Sequence, residues 1–414
     1  MSAGRSGRTL TSTALFAAAV ALPVALPLSS AAFNLLSQLA IAWLLLLSVG
    51  LLVTRAGLLS FGQALYAGLS AYAAAHAMNA IAAAGWPLPF ALVPLYGGLF
   101  AAGVALVAGP ISVRHGGLSF AMITLGLGLL VAIAAPMLQG FFGGEGGVST
   151  DRTAGPVWLG LNLLSQRQVY GVSAAYVLLA AGLLRWLDGT RLDLLARAVR
   201  DNPLRVAVSG SAPRRVRLHL VLVSAFLAGL AGALQTLRVE QVSAGALGLP
   251  QSSMALLFSL AAGSGTAWGA LLGAGLMVGS EVLLASLSQA WMLYVGLGFL
   301  AIVIWAPQGL VEVLHELARR LRARRDPDLL WGLAALLVCG GLSLIGASSL
   351  IELLYAVRQQ LLAHGVLRLW GVSVRADSAE VWAGAAWLAV VSTGLGVLVR
   401  RVLAPRLRVE GEAA

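Results

Sequence analysis

Twelve stretches of this chain run almost without charge for lengths close to that of a membrane-crossing helix. A helix needs about 20 apolar residues to cross the ~30 Å hydrocarbon core of a bilayer. Inside that core the backbone must satisfy its own hydrogen bonds, so apolar runs of this length read as helices. The runs are 9–30, 33–53, 57–80, 90–109, 118–137, 170–186, 218–237, 251–262, 268–287, 291–307, 329–347 and 380–399. With a mean hydropathy of +0.89, 59% hydrophobic residues and 10% charged ones, the expected fold class is an all-α integral membrane protein. The first run follows MSAGRSGR, which looks like the basic n-region of a signal peptide. A retained span is the expectation, because the next run starts almost at once with no clear small-residue cleavage site between them. The run 251–262 is short for a crossing and reads as a half-helix packed within the bundle.

Arginine sets the orientation. Twelve crossings that start with Arg5 and Arg8 in the cytoplasm put Arg55, Arg114, Arg185 to Arg217, Arg319 to Arg325 and Arg400 to Arg408 on that side. That is 21 of the 27 basic residues, leaving Arg152, Arg167, Arg238, Arg358, Arg368 and Arg375 outside, as the positive-inside rule requires. The formal net charge of +11 is therefore a topology signal, not a nucleic-acid footprint.

Every basic residue counted there is arginine. Without lysine no GxxxxGK[ST] phosphate loop can form, so any ATP-driven step needs another chain, and no bound cofactor is expected. The single cysteine, Cys339, lies in an apolar run, which excludes an internal disulfide and argues against a metal site. No HExxH, GxSxG, paired intramembrane aspartates or Cys/His cluster supports an enzyme.

Six arginines crowd into Leu194 to Leu220, LLARAVRDNPLRVAVSGSAPRRVRLHL, within the longest cytoplasmic loop. Leu192, Leu195 and Val199 fall about one turn apart, which predicts a short amphipathic helix. Pro203 disfavours helical geometry at Asn202 and ends it, and Gly210 and Pro213 break the chain again. A solvated basic loop would carry the same charge, but its apolar face needs a lipid surface or a partner to cover it.

Within the spans, Gly269 with Gly273 and Gly275 with Gly279 form small-xxx-small pairs for close helix packing. TRAGLLSFGQALYAG gathers Arg55, Ser60, Gln63 and Tyr66 near one membrane face. Those polar groups, with Thr124, are candidate lining for a pathway, although a bundle glutamine also serves as a helix-to-helix hydrogen bond. Glu281 is the clear intramembrane charge and a functional candidate by default, while His76 suits an interface. Residues 138–169, with Glu145, Asp151 and Arg152, form the largest outer segment, read as a mobile loop or as a gate or landing site.

RAVRDNPLRVAVSGSAPRRVRLHLVLVSAFLAGLAGAL resembles the cytoplasmic loop and following helix of membrane subunits of ABC importers of the branched-chain amino acid type. TRAGLLSFGQALYAGLSAYAAA, LSFAMITLGLG, GGEGGVSTDRTAG, GSGTAWGALLGAGLM and WAPQGLVEVL resemble further segments of that family in the same order, over roughly residues 35 to 315. The resemblance implies a polytopic bundle of about 10–12 transmembrane helices in a bacterial inner membrane. Its partners would be cytoplasmic ATP-binding subunits, a second permease subunit, a periplasmic substrate-binding protein and membrane lipid. It implies a coupling helix in the loop 187–217, with Ala198, Arg200, Asp201, Asn202, Pro203, Arg205 and Gly210 matching the family pattern. Ala198 would permit close approach, and Leu195 and Val199 would supply the apolar docking face. Gly210 is followed here by Ser211, where relatives often carry a larger residue.

The expected organisation is an N-terminal span in 1–32, a permease core in 33–315 and a C-terminal extension in 316–414. The extension departs from the family pattern. It holds a basic segment, two spans, and a stretch whose Leu354, Val357, Leu361 and Val366 predict a surface-lying amphipathic helix. The competing reading is an ion-coupled secondary transporter using Glu281.

Overall fold

The computed structural model describes residues 20, 22–24, 26–157, 162–263, 267–287, 290–305, 309–313, 315, 338, 342–343, 345–351, 353–354, 366–369, 372–375 and 379–408. Most of the expected spans 9–30 and 329–347, Cys339, Arg319 to Arg325, Val357 and Leu361 lie outside these residues. Two compact units emerge, Met1–Val278 with Pro307–Val311, and Gly279–Ala306 with Glu312–Ala414.

The first unit is built from helices α1 (Ser30–Leu51), α2 (Gln63–Ala84), α3 (Val93–Ser112), α4 (Gly117–Ala134), α5 (Gln139–Phe142), α6 (Gln166–Leu187), α7 (Arg191–Asp201), α8 (Pro203–Val208), α9 (Pro213–Val239), α10 (Leu249–Ala262) and α11 (Ala267–Gly279). Their ends follow from sequence. Ser29, Ser165, Thr190 and Asn202 cap α1, α6, α7 and α8 by accepting a first-turn N–H. Proline sits in the first turn of α3, α8, α9 and α10, where its missing N–H costs nothing. Five stretches are long and apolar enough to cross a membrane among the described residues: Ser30–Ala56, Phe90–Ser112, Gly117–Met137, Gln166–Leu187 and Pro213–Val239. With 22 residues, α2 is long enough as well, but Gln63, His76 and Asn79 lower its hydropathy. At 14 residues α10 reaches only about 21 Å, short of a full crossing.

The core forms around α9, which packs on α1, α2 and α3. Lipid tails give helices no hydrophobic reason to associate, so this packing depends on close contact and interhelical hydrogen bonds. A Cβ on Gly232 would lie 1.9 Å from the Ala67 carbonyl oxygen, and one on Gly229 would lie 2.5 Å from Ala101 Cβ. Beside these contacts Ser70 Oγ donates to the Gly229 carbonyl at 2.7 Å, and Thr236 Oγ1 to the Ala71 carbonyl at 3.1 Å. The glycine pairs singled out by sequence divide. Gly273 is tight against Leu46 and the Phe258 carbonyl, whereas a side chain at Gly275 or Gly279 would meet nothing within 4 Å.

In the second unit a π-helical turn at Ser280–Leu284 is followed by α12 (Trp291–Trp305), and the last described helix is α13 (Ala379–Arg408). Gly346 packs on α13, where an added Cβ would approach Ala389 N to 2.5 Å. Val366 does not belong to a surface helix: Val366–Leu369 pairs antiparallel with Val372–Arg375, Val366 opposite Arg375. The alternation VLRL and VSVR, with only Trp370 and Gly371 between them, carries the period of a strand hairpin and overrides the helical spacing.

Gly232→Leu should therefore destabilise the bundle by at least ~1–3 kcal/mol, the usual cost of overpacking, since backbone cannot move aside like a side chain. Gly275→Ala should be close to neutral. Thermal unfolding in detergent, followed by size exclusion, checks the pair; equal behaviour would contradict the packing described.

Candidate functional site

Between α1 and α2 the chain breaks its helix inside the bundle. The end of α1 widens into a π turn at Leu52–Ala56 that carries Arg55, and Gly57 closes it in the left-handed region at φ 63°, with Leu58 N donating to the Leu52 carbonyl at 3.1 Å. Helix resumes only at Gln63, six residues later than the apolar run beginning at 57 suggests. Ser48, the partner of Gln63, lies eight residues before Ala56, about 12 Å along α1, so α2 starts well below the arginine-rich end.

Non-helical backbone at that depth needs partners from the protein. Thr124 Oγ1 accepts from Phe61 N at 3.2 Å, Ser60 Oγ from Gly62 N at 3.2 Å and Ser252 Oγ from Ala64 N at 2.9 Å. Gln63, fully buried, closes a second set. Its Nε2 donates to Ser224 Oγ at 3.0 Å, Ser224 Oγ to the Ser48 carbonyl at 2.8 Å, and Ser48 Oγ to Gln63 Oε1 at 3.2 Å. Of the residues that sequence put forward for a pathway, Ser60, Gln63, Tyr66 and Thr124 are thus buried around this break. Glu281 belongs to the second unit, partly exposed in its π turn.

At the arginine-rich end, α7 and α8 form the loop between α6 and α9. Thr190 Oγ1 caps Asp193 N at 3.3 Å. Asn202 is extended at φ −155° and ψ 96°, as a residue before proline must be, and its Oδ1 accepts from Arg205 N at 3.0 Å to start α8. Gly210 turns the chain at φ 84° with open space around it. The inward face of α7 is Asp193, Ala196 and Val199. Arg55 reaches this face with both prongs: Nη1 meets Asp193 Oδ1 at 2.9 Å and Nη2 meets Asp188 Oδ1 at 2.6 Å. Arg197 Nη2 holds the other oxygen of Asp193 at 2.9 Å. Arg200 Nη1 donates to the Thr54 carbonyl at 2.5 Å, and its Cγ occupies the space over Gly57.

These contacts change the amphipathic reading. Val199 is turned into the chain's own bundle, so the apolar stripe of α7 is covered internally, and Leu195 is only partly exposed. The uncovered positions are Leu194, Ala198, Leu204 and Val208, the last two 77% and 90% exposed. Asp201, Asn202, Pro203, Arg205 and Gly210 are exposed, as is much of Arg200 although its tip is held against Thr54. Sequence reasoning passed over Asp188, Asp193 and Arg197. A signal was present in Thr190-Arg191-Leu192-Asp193, the spacing of a capping box.

The opposite end is pinned. Val148 and Ser149 pair antiparallel with Val242 and Gln241, and a Cβ on Gly147 would lie 2.0 Å from the Val242 carbonyl oxygen. Arg152 Nε meets Glu240 Oε1 at 2.9 Å, His76 Nε2 contacts the Phe141 carbonyl at 2.7 Å, and Asn79 Nδ2 donates to the Ser149 carbonyl at 3.0 Å. Phe142 stands edge-on to Tyr72 with ring centroids 4.8 Å apart. The Thr153 hydroxyl and N–H hold the Asp151 carboxyl below the usual carboxylate range. The carboxylate's contribution to that turn is fully present at neutral pH and is lost as pH falls through the lowered value. Within the segment read as a mobile loop or as a gate or landing site, residues 141–152 are thus tied to α2 and to residues 240–242, and Glu145 is exposed.

Removing one charge from a buried pair leaves the other uncompensated, at about 3–5 kcal/mol, whereas exposed pairs are worth ~1 kcal/mol or less. Asp193 is 2% exposed and Asp188 41%. Asp193→Asn should therefore free α7 to proteolysis between 188 and 212, while Asp188→Asn leaves it protected; similar cleavage rates for the two would contradict the buried clamp.

Residues 31–305 match the family described as the branched-chain amino acid transport system permease component. The chain is 29% identical over 145 residues to the high-affinity branched-chain amino acid transport system permease protein LivM of Escherichia coli K12. It is 28% identical over 145 residues to the protein of that name from Salmonella typhimurium LT2. These alignments cover 35% of this chain and 34% of each relative, so the chain spans about a third of the length of the curated relatives it matches. No solved structure matches it. With two thirds of its length matched, and with five stretches among the described residues long and apolar enough to cross a membrane, the chain belongs to the branched-chain amino acid transport permease family.

Proposed function

We propose that this chain is the translocation subunit of an ATP-binding cassette importer for branched-chain or related amino acids. In this reading it works in a bacterial inner membrane with cytoplasmic ATP-binding subunits, a second permease subunit and a periplasmic substrate-binding protein. One observation carries the reading. The helix pair α7 and α8 is fixed to the bundle on one side through Asp193, Ala196 and Val199, and leaves Leu194, Ala198, Leu204 and Val208 uncovered on the other. An apolar surface rimmed by Arg191, Arg197 and Arg205 suits a partner with an apolar cleft and acidic edges. The absence of lysine supports hydrolysis by that partner, since this chain cannot form a phosphate loop. The family match and the LivM relatives support the substrate class.

Proteoliposomes holding this chain alone should take up no radiolabelled leucine, isoleucine or valine with ATP supplied, and uptake should appear when ATP-binding and substrate-binding subunits are added. Uptake that persists without ATP but needs an ion gradient would overturn the proposal in favour of coupling through Glu281. Within the assembled complex, Ala198→Trp adds bulk on the open face, and an overpacking cost of ~1–3 kcal/mol corresponds to a roughly 5- to 150-fold weaker association with the ATP-binding subunit. Val199→Ala should instead lower the thermal stability of the chain and leave that association nearly intact. Reversed outcomes in a pull-down and a melting curve would mean that the docking face is not the open one.

A further inference from the structure

We infer that Arg55 is a positioning residue that transmits movement of α7 to the interrupted segment between α1 and α2; this rests on the importer reading above. Its guanidinium spans two elements from a third. From the π turn at the end of α1 it meets Asp188, just past α6, and Asp193, in the first turn of α7, with one prong on each carboxylate. A second tie runs alongside, because Arg200 from the last turn of α7 holds the Thr54 carbonyl and lies over Gly57. Both ends of α7 are therefore fastened to residues 54–57, the stretch where α1 stops being an α-helix.

What lies beyond that stretch gives the fastening its consequence. After Gly57 the chain has no regular hydrogen-bond ladder until Gln63; the N–H groups of Phe61 and Gly62 in the break rest on the hydroxyls of Thr124 and Ser60, and that of Ala64 in the first turn of α2 on Ser252. Hydroxyls can exchange partners at little cost, whereas an intact helix resists bending, so displacement at Arg55 is absorbed at the break and appears as a shift of the α2 N-terminus. A π turn is suited to such a place, since its widened ring already departs from the α-helical ladder. Arginine is needed for geometric reasons. Its planar fork engages two carboxylates at once, whereas a lysine at this position engages as a point charge and cannot fix both directions.

Hydrogen–deuterium exchange on the full complex with its ATP-binding subunits, with and without a non-hydrolysable ATP analogue, tests the inference without knowledge of the substrate. In the wild type, the nucleotide should change exchange in both 191–208 and 52–64. In Arg55→Lys, the change in 191–208 should remain while the change in 52–64 falls at least ~5-fold, the lower end of common coupling strengths. Asp188→Asn, which releases one prong and leaves the buried Asp193 contact, should give the same split in weaker form and serves if Arg55→Lys does not assemble. An unchanged response of 52–64 in both variants would overturn the inference and leave the importer reading intact. So would a wild-type response confined to 191–208. If no ATP-binding subunit associates, or neither segment responds in the wild type, it is the importer reading that fails, and this inference fails with it.

Discussion

Three hydroxyls hold the irregular backbone between α1 and α2 in place within the bundle. In water the N–H groups of Phe61, Gly62 and Ala64 would be solvated, but among packed helices they must find partners or cost several kcal/mol each. Thr124, Ser60 and Ser252 supply them from α4, the break itself and α10, while Gln63 binds Ser224 on α9 and Ser48 on α1. Five helices and the broken segment thus meet through two adjoining sets of hydrogen bonds. The placement of α10 depends on it, because a helix of 14 residues would lie badly in lipid without a fixed seat in the protein. So does the depth at which α2 begins.

Close backbone approach does the rest. α9 lies against α2 and α3 at Gly232 and Gly229, and each contact brings a hydrogen bond with it, from Thr236 to Ala71 and from Ser70 to Gly229. Dispersion between closely fitted backbones accumulates over many weak contacts, so a single added methyl group at Gly232 separates the helices and forfeits many of them at once. The result is a rigid wall of α2, α3 and α9 beside a break that has no such wall.

Much of this was legible in the sequence. Span positions follow from hydropathy because a lipid-embedded backbone has few alternatives, and α3, α4, α6, α9 and α10 fall where the apolar runs are. The errors have local causes. The run beginning at 57 conceals a break, since hydropathy does not register that Gly57 closes a π turn at positive φ. Val199 reads as a docking residue because periodicity reveals that a face is apolar but not what covers it, and Ala196 with Asp193 turns that face inward. A buried aspartate is invisible to an apolar pattern. Thr190 three residues before it was the available clue, and the two arginines that neutralise it come from α1 and from one turn further along α7. Val366 misled because four helical-spaced apolar residues also fit a strand pattern where a two-residue connection follows.

The two ends of the first unit are built on opposite principles, and that asymmetry constrains how it can move. At the end away from α7 the ties are mostly backbone or short and local: a two-residue strand pair, a carbonyl contact to His76, and Asn79 on the Ser149 carbonyl. Backbone contacts at Gly147 leave no slack, since even a methyl group would collide with Val242. At the arginine-rich end the ties are long side chains: Arg55, Arg197 and Arg200 reach out to hold α7, and each has several rotatable bonds through which to follow a displacement. Short ties resist movement, whereas long charged ones preserve contact through it. A force applied to α7 therefore meets its first compliant structure at residues 54–62 and its first rigid one at the α2–α9 contact. The segment at 148–152, fastened to the end of α9, is held in place by the same wall.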